Sequence, residues 1–320
     1  MPTTRTIQVP HLGGISAGYA LSGDKYDPSK PTCVLINSMC MTTALYKDQF
    51  EDASLTSAVN LLAIEPLGHG STSCASEHFT YWDSAIMALQ VLDALGIQKA
   101  FALGTSQGGW IVTRMALLAP ERVSSVLDVV TLACPGGREL IKGQVLGLVL
   151  LGTSMDCESV DSRSKGCWDP LPLLKPFLDG WTSDAPTPDF VVEETWCKMV
   201  GAVGFGTFAT EELVSFWTKT LQEVYRGNEG RKKVRMALAC LLERDGLLLR
   251  LGDVKCPVYW LQGTDDTPFA TRVPEEQIQL FTRSKEAKLE IVEGGAHYLN
   301  ATHPKRVDEV ILEMVKKSGA

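Results

Sequence analysis

Six short runs rich in valine, leucine and isoleucine, at residues 32–37, 60–65, 99–104, 145–151, 257–262 and 288–293, alternate with segments of helical periodicity. Runs that are apolar at odd and even positions alike need cover on both faces. Strands of a largely parallel sheet sandwiched between helices provide that setting. The pattern therefore predicts an α/β fold. Between the second and third runs, Thr80 followed three positions later by Asp83 reads as a capped helix start, with Ile86, Leu89, Leu92 and Leu95 as its apolar stripe. A last helix after His303-Pro304 carries Val307, Val310, Ile311, Met314 and Val315 on one face.

Residues 157–245 break the rhythm. They hold no buried-strand run, begin with Pro170, Pro172, Pro176, Pro186 and Pro188, and turn helical later. They also contain Trp168, Trp181, Trp196 and Trp217, four of the seven tryptophans. We read the segment as a helical cap over a core formed by 1–156 and 246–320, with Trp168, Trp181 and Trp217 as pocket residues. The same tryptophans would serve equally well to pack the cap itself.

Composition narrows the function. With 45 % apolar and 21 % charged residues the chain can bury a large core, and its net charge of -8 with scattered basic residues argues against nucleic-acid or anionic-membrane partners. No apolar run reaches the ~18 residues of a membrane helix. The first residues are polar and lack the apolar stretch of a secretory leader, and the nine cysteines form no CxxC pair and no metal-spaced cluster. A cytoplasmic protein with reduced thiols and no metal is expected. Neither a Walker A motif nor a dinucleotide fingerprint is present, so no cofactor is expected.

Gly104-Thr105-Ser106-Gln107-Gly108 follows the third run directly and opens a helix. The Gly-x-Ser-x-Gly pattern is weak alone, but its strand-to-helix context is specific: small residues two before and two after let the turn close and lift the serine above the sheet edge. The helix N-terminus behind it supplies N–H groups for a developing oxyanion. A serine so placed needs a base and an acid. His297, in Gly294-Gly295-Ala296-His297, follows the last strand at the same end of the sheet and is the candidate base. Asp266, just past the fifth run, is the chosen acid; its neighbour Asp265, and Asp156 after the fourth run, remain alternatives.

In this order of serine, acid and histidine the chain resembles the α/β-hydrolase family over nearly its whole length. Glu65-Pro66-Leu67-Gly68-His69-Gly70-Ser71 is similar to the family's loop after its fourth strand, with His69 a loop residue rather than a catalyst. Asn37-Ser38-Met39 stands where the family has its His-Gly-x oxyanion motif, although neither His nor Gly is kept. The resemblance implies oxyanion donors at the backbone N–H groups of Met39 and Gln107, with Ser38 in the pocket. More narrowly, Thr105-Ser106-Gln107-Gly108-Gly109-Trp110, Gly152-Thr153-Ser154-Met155-Asp156 and Gly166-Cys167-Trp168-Asp169 resemble α/β-hydrolases of fungal toxin and polyketide clusters. That implies a small-molecule partner: an ester, lactone or thioester of a hydrophobic secondary metabolite, cleaved through an acyl-enzyme or passed to an acyl acceptor. An isomerase or lyase, or a ligand-binding protein, on the same fold are the alternatives.

Two runs, 123–134 and 145–151, compete for the slot of the sixth strand. Removing 123–144 joins Pro120-Glu121-Arg122 to Val145, the junction such folds usually show. Val123-Ser124 fits a GTGAGT splice donor and Gln144 a CAG acceptor, so a retained intron is one origin of the segment and a natural insertion the other.

Overall fold

Each of the six runs forms a strand, displaced by at most a residue at either end, although the last, on the edge of the sheet, is buried only at Val292. The computed structural model describes residues 3–23, 25–119 and 144–319. Within them the elements are β1 (Arg5–Val9), β2 (Ile15–Leu21), β3 (Thr32–Ile36), α1 (Lys47–Glu51), α2 (Ala53–Ala58), β4 (Asn60–Ile64), β5 (Ser73–Cys74), α3 (Tyr81–Ala94), β6 (Lys99–Thr105), α4 (Gln107–Leu118), β7 (Gln144–Leu151), α5 (Val160–Ser164), α6 (Leu171–Gly180), α7 (Glu194–Phe205), α8 (Glu211–Val224), α9 (Gly227–Leu242), β8 (Val258–Gly263), α10 (Arg272–Gln277), β9 (Ala287–Val292), α11 (Leu299–Thr302) and α12 (Pro304–Ser318), with short 3-10 turns between some of them.

The strands form one sheet in the order β1-β2-β4-β3-β6-β7-β8-β9, with β5 beside β2. From β4 to β9 all pairings are parallel, whereas β2 runs antiparallel to β1, β4 and β5. The β1–β2 hairpin was not legible as a strand pair. Edge strand β1 is mostly exposed and alternates polar with apolar residues, so it presents no continuous apolar run.

Alternation explains why the central strands are apolar throughout. Val34 and Ile36 of β3, Ala100 and Ala102 of β6, and Val258 and Trp260 of β8 join the core under α3 and α4. Their neighbours Cys33 and Leu35, Phe101 and Leu103, and Tyr259 and Leu261 join the core under α12. On α12 all five stripe residues are buried. On α3 the capping box forms, Thr80 N–H donating to Asp83 Oδ2 at 2.7 Å. The stripe is a correction: Leu89 and Leu92 are buried with Ala85, Met87, Ala88 and Val91, but Ile86 and Leu95 are only partly so. Because α3 packs against both the sheet and α4, its buried face is wider than a single stripe and turned from the predicted one.

The five helices α5–α9 lie between β7 and β8. Buried Arg231 of α9 ties the Pro-rich stretch down, donating to Trp181 O at 2.6 Å and to Thr187 Oγ1 at 2.7 Å. The run 123–134 and the rest of the proposed insertion to residue 143 lie outside the described residues; Gln144 opens β7 and pairs with Lys99. The eight described cysteines are free thiols. Among the described residues no helix is long and apolar enough to cross a membrane.

Candidate active site

Ser106 occupies the single residue between β6 and α4, at φ 53° and ψ -120°. That conformation is costly for a residue with a Cβ, and it lifts the side chain out of the turn. Gly104 and Gly108 make the turn sterically feasible. A Cβ on Gly104 would sit 2.2 Å from the carbonyl of Gly108, and one on Gly108 would sit 2.1 Å from Ile36 O. Bonds from Ser106 N–H to Leu151 O and from Thr153 Oγ1 to Ser106 O, both 2.8 Å, hold the turn against β7.

His297 lies in the loop after β9, and its Nδ1 is 2.9 Å from Asp266 Oδ2. The two side chains are 4 % and 0 % exposed. The other Asp266 oxygen accepts from Phe269 N–H at 3.0 Å, so the carboxylate is oriented from both sides. With Nδ1–H donated to the carboxylate, Nε2 remains to accept a proton. The alternative acids are engaged elsewhere. Asp265 is exposed and accepts from Thr264 Oγ1, its N–H holding Gly295 O at 3.0 Å. Asp156 accepts from Ser159 Oγ at 2.6 Å, Cys157 N–H at 2.8 Å and Ser162 Oγ. Burial works to raise its carboxyl pKa, but these donors outweigh it and hold the group below the usual range.

The loop after β3 is a tight turn: Met41 N–H donates to Ser38 O at 3.1 Å, the Asn37 amide donates to Ser38 O and Met41 O, and Cys40 sits at φ 62°. Gln107 is held by a chain of buried groups. His69 Nδ1 donates to Leu67 O at 2.9 Å, which leaves Nε2 to accept from Gln107 Nε2 at 2.8 Å, and Tyr81 Oη donates to Gln107 Oε1 at 3.2 Å. Burial pushes the His69 pKa down to about 4, so the ring is neutral at pH 7.

Comparison with known proteins bears on the whole arrangement. A family model for the α/β-hydrolase fold matches residues 34–139. An esterase from Thermogutta terrifontis superposes with a TM-score of 0.71 over 99 % of this chain and 100 % of its own, at 15 % identity. The chain has the α/β-hydrolase fold. Sequence relatives match more locally on this fold. The dihydrolipoyllysine-residue acetyltransferase component of the acetoin cleaving system of Pseudomonas putida is 33 % identical over 97 residues, 30 % of this chain and 25 % of that protein. The putative carbamate hydrolase RutD of Stutzerimonas stutzeri is 28 % identical over 112 residues, 35 % of this chain and 41 % of that protein. The matches thus span a quarter and about two fifths of these relatives' own lengths. The family-model match runs to residue 139, through the run 123–134.

In this α/β-hydrolase fold Ser106 and His297 open into one pocket, a cavity of about 60 Å³ that is partly open to solvent. Ser38, Met39 and Trp168 line it, together with Trp110, Trp196, Phe269 and the pair Glu158 and Arg244. Trp181 and Trp217 do not, which corrects the reading of them as pocket residues. Trp181 is fully buried among Phe177 and Trp196 and donates its Nε1–H to Glu193, so it packs the helices against one another. Trp217 packs on Phe205 beside a separate surface groove. Trp110, Glu158 and Arg244 were missed. Trp110 had a signal, lying one helical turn beyond Ser106; Glu158 and Arg244 are 86 residues apart and meet only in the folded chain.

Proposed function

We propose that this protein is a serine hydrolase that works through an acyl-enzyme. The supporting observation is the buried Asp266–His297 bond at 2.9 Å together with a Ser106 held at φ 53° in the wall of the same pocket. In this reading Ser106 Oγ attacks the carbonyl carbon and His297 Nε2 takes its proton. Asp266 fixes the ring and stabilises the imidazolium. His297 then protonates the leaving oxygen or sulfur, and water, activated by the same ring, releases the acid. The Gln107 and Met39 N–H groups serve the oxyanion, Gln107 from the first turn of α4, where N–H groups have no intrahelical partner.

An ester, lactone or thioester with a hydrophobic body fits a pocket walled by Leu174, Val200, Val203 and aromatic rings. The motif resemblance around Ser106, Asp156 and Trp168 favours a secondary metabolite as its source, and the helices of 157–245 then act as the cap over it. The esterase and the putative carbamate hydrolase named above act on acyl-type bonds by their names, which agrees with this chemistry.

Intact mass after incubation with a fluorophosphonate tests the reading, with Ser106→Ala as control and circular dichroism to confirm folding. A single adduct lost in Ser106→Ala is expected. A folded wild-type chain that takes no adduct would overturn it.

A further inference from the structure

Residues lining the Ser106 pocket carry three buried N–H donors without partners, on Trp110, Trp196 and Arg244, and two of them, on Trp110 and Arg244, form one corner. Arg244 pairs through Nη2 with Glu158 Oε1, the side chains being 1 % and 6 % exposed, and donates through Nη1 to Leu241 O. Its Nε–H has no partner, and neither has the indole Nε1–H of Trp110. These groups are neighbours, the guanidinium carbon lying 4.3 Å from the centroid of the Trp110 ring. Both residues line the pocket that Ser106 and His297 share.

Native interiors seldom leave buried donors unsatisfied, and one that faces a ligand site is completed when the ligand brings an acceptor. The charge of this corner narrows that acceptor. Glu158 balances Arg244, so the corner offers N–H donors with no net charge, and a carboxylate entering it would meet the Glu158 oxygens. A ketone or ester carbonyl meets no such repulsion. Glu158 is also held at φ 50°, a strained conformation of the kind that concentrates at ligand clamps. The surrounding wall of Leu174, Val200, Val203 and Phe269 is apolar.

We propose that Arg244 and Trp110 determine specificity, selecting acyl or lactone substrates that carry a second, uncharged acceptor oxygen apart from the scissile carbonyl on an otherwise apolar body. The inference rests on the serine-hydrolase reading above. The test compares p-nitrophenyl 4-oxopentanoate, 5-oxohexanoate and 6-oxoheptanoate with the unsubstituted esters of equal chain length, on the full chain, with fluorophosphonate labelling of Ser106 run in parallel. At least one oxo ester is expected to exceed its partner roughly tenfold in kcat/KM, the size of effect a hydrogen bond from a charged donor produces. Trp110→Phe keeps a ring beneath Arg244 and loses no internal hydrogen bond. It is expected to stay folded by circular dichroism, with a melting temperature lowered by the smaller buried ring, while the oxo-to-plain ratio falls toward one, which a purely structural tryptophan would not cause. Arg244→Met combined with Glu158→Gln removes both charges together and is expected to lower the ratio likewise. Equal kcat/KM within every pair, with Ser106 still labelled, overturns the inference and leaves the hydrolase reading intact. A preference that persists in both variants overturns it as well. No turnover of any ester and no adduct would remove both readings.

Discussion

Asp266 Oδ2 and His297 Nδ1, 31 residues apart in the chain, are joined by a 2.9 Å hydrogen bond from which solvent is almost wholly excluded. On the serine-hydrolase reading proposed above, the carboxylate holds one tautomer of the ring. Asp266→Asn, which preserves shape but can turn an N–H toward Nδ1, is expected to lower kcat about 10⁴-fold on an ester substrate. Asp265→Asn, on an exposed side chain, is expected to stay within about threefold of wild type, surface changes being close to neutral. Steady-state kinetics of the two variants decide the assignment: equal losses would sink it.

Gly108→Ala is a test of the turn rather than the chemistry. Its Cβ would be driven to 2.1 Å from Ile36 O, a backbone atom of β3 that cannot step aside as a side chain would. A destabilisation on the order of 3 kcal/mol is expected in urea unfolding, the upper range for overpacking. A variant as stable as wild type would show that α4 can slide relative to β3.

His69 makes stability depend on pH. Burial lowers its pKa from an ordinary 6.5 to about 4. Above pH 6.5 the ring is neutral folded or unfolded, and its contribution is fully present. As pH falls toward 4 the unfolded chain binds a proton that the folded chain refuses, and up to about 3 kcal/mol of stability is lost. Asp308 acts in the opposite sense, because burial raises its carboxyl to about 6 and the folded state takes up that proton first. Comparing wild type with His69→Gln cancels the Asp308 contribution. The stability difference between the two chains should fall as pH drops from 7 to 4, and a difference that stays level would contradict a buried neutral His69.

The origin of 123–144 is open to direct measurement. Sequencing the spliced transcript is expected to show a message without these codons, joining Arg122 to Val145. Mature message that retains them would end the intron reading and leave the segment as a natural insertion.

The strands at 32–37, 60–65, 99–104, 145–151, 257–262 and 288–293, the turn at Ser106 and the loop at His297 were legible in the sequence. The first five runs and the turn rest on local rules: two covered faces demand a continuous apolar run, and a tight strand-to-helix turn demands Gly104 and Gly108. The edge hairpin β1–β2 obeys no such demand and stayed hidden. Tertiary structure alone decided which carboxylate meets His297, since Asp156, Asp265 and Asp266 all follow strands at the right end of the sheet and differ in burial and in the donors that surround them. It also decided that Trp168 faces the pocket while Trp181 and Trp217 pack elsewhere. Helical periodicity places a side chain on a face of its own helix, but what that face meets depends on how separate helices are set over the sheet.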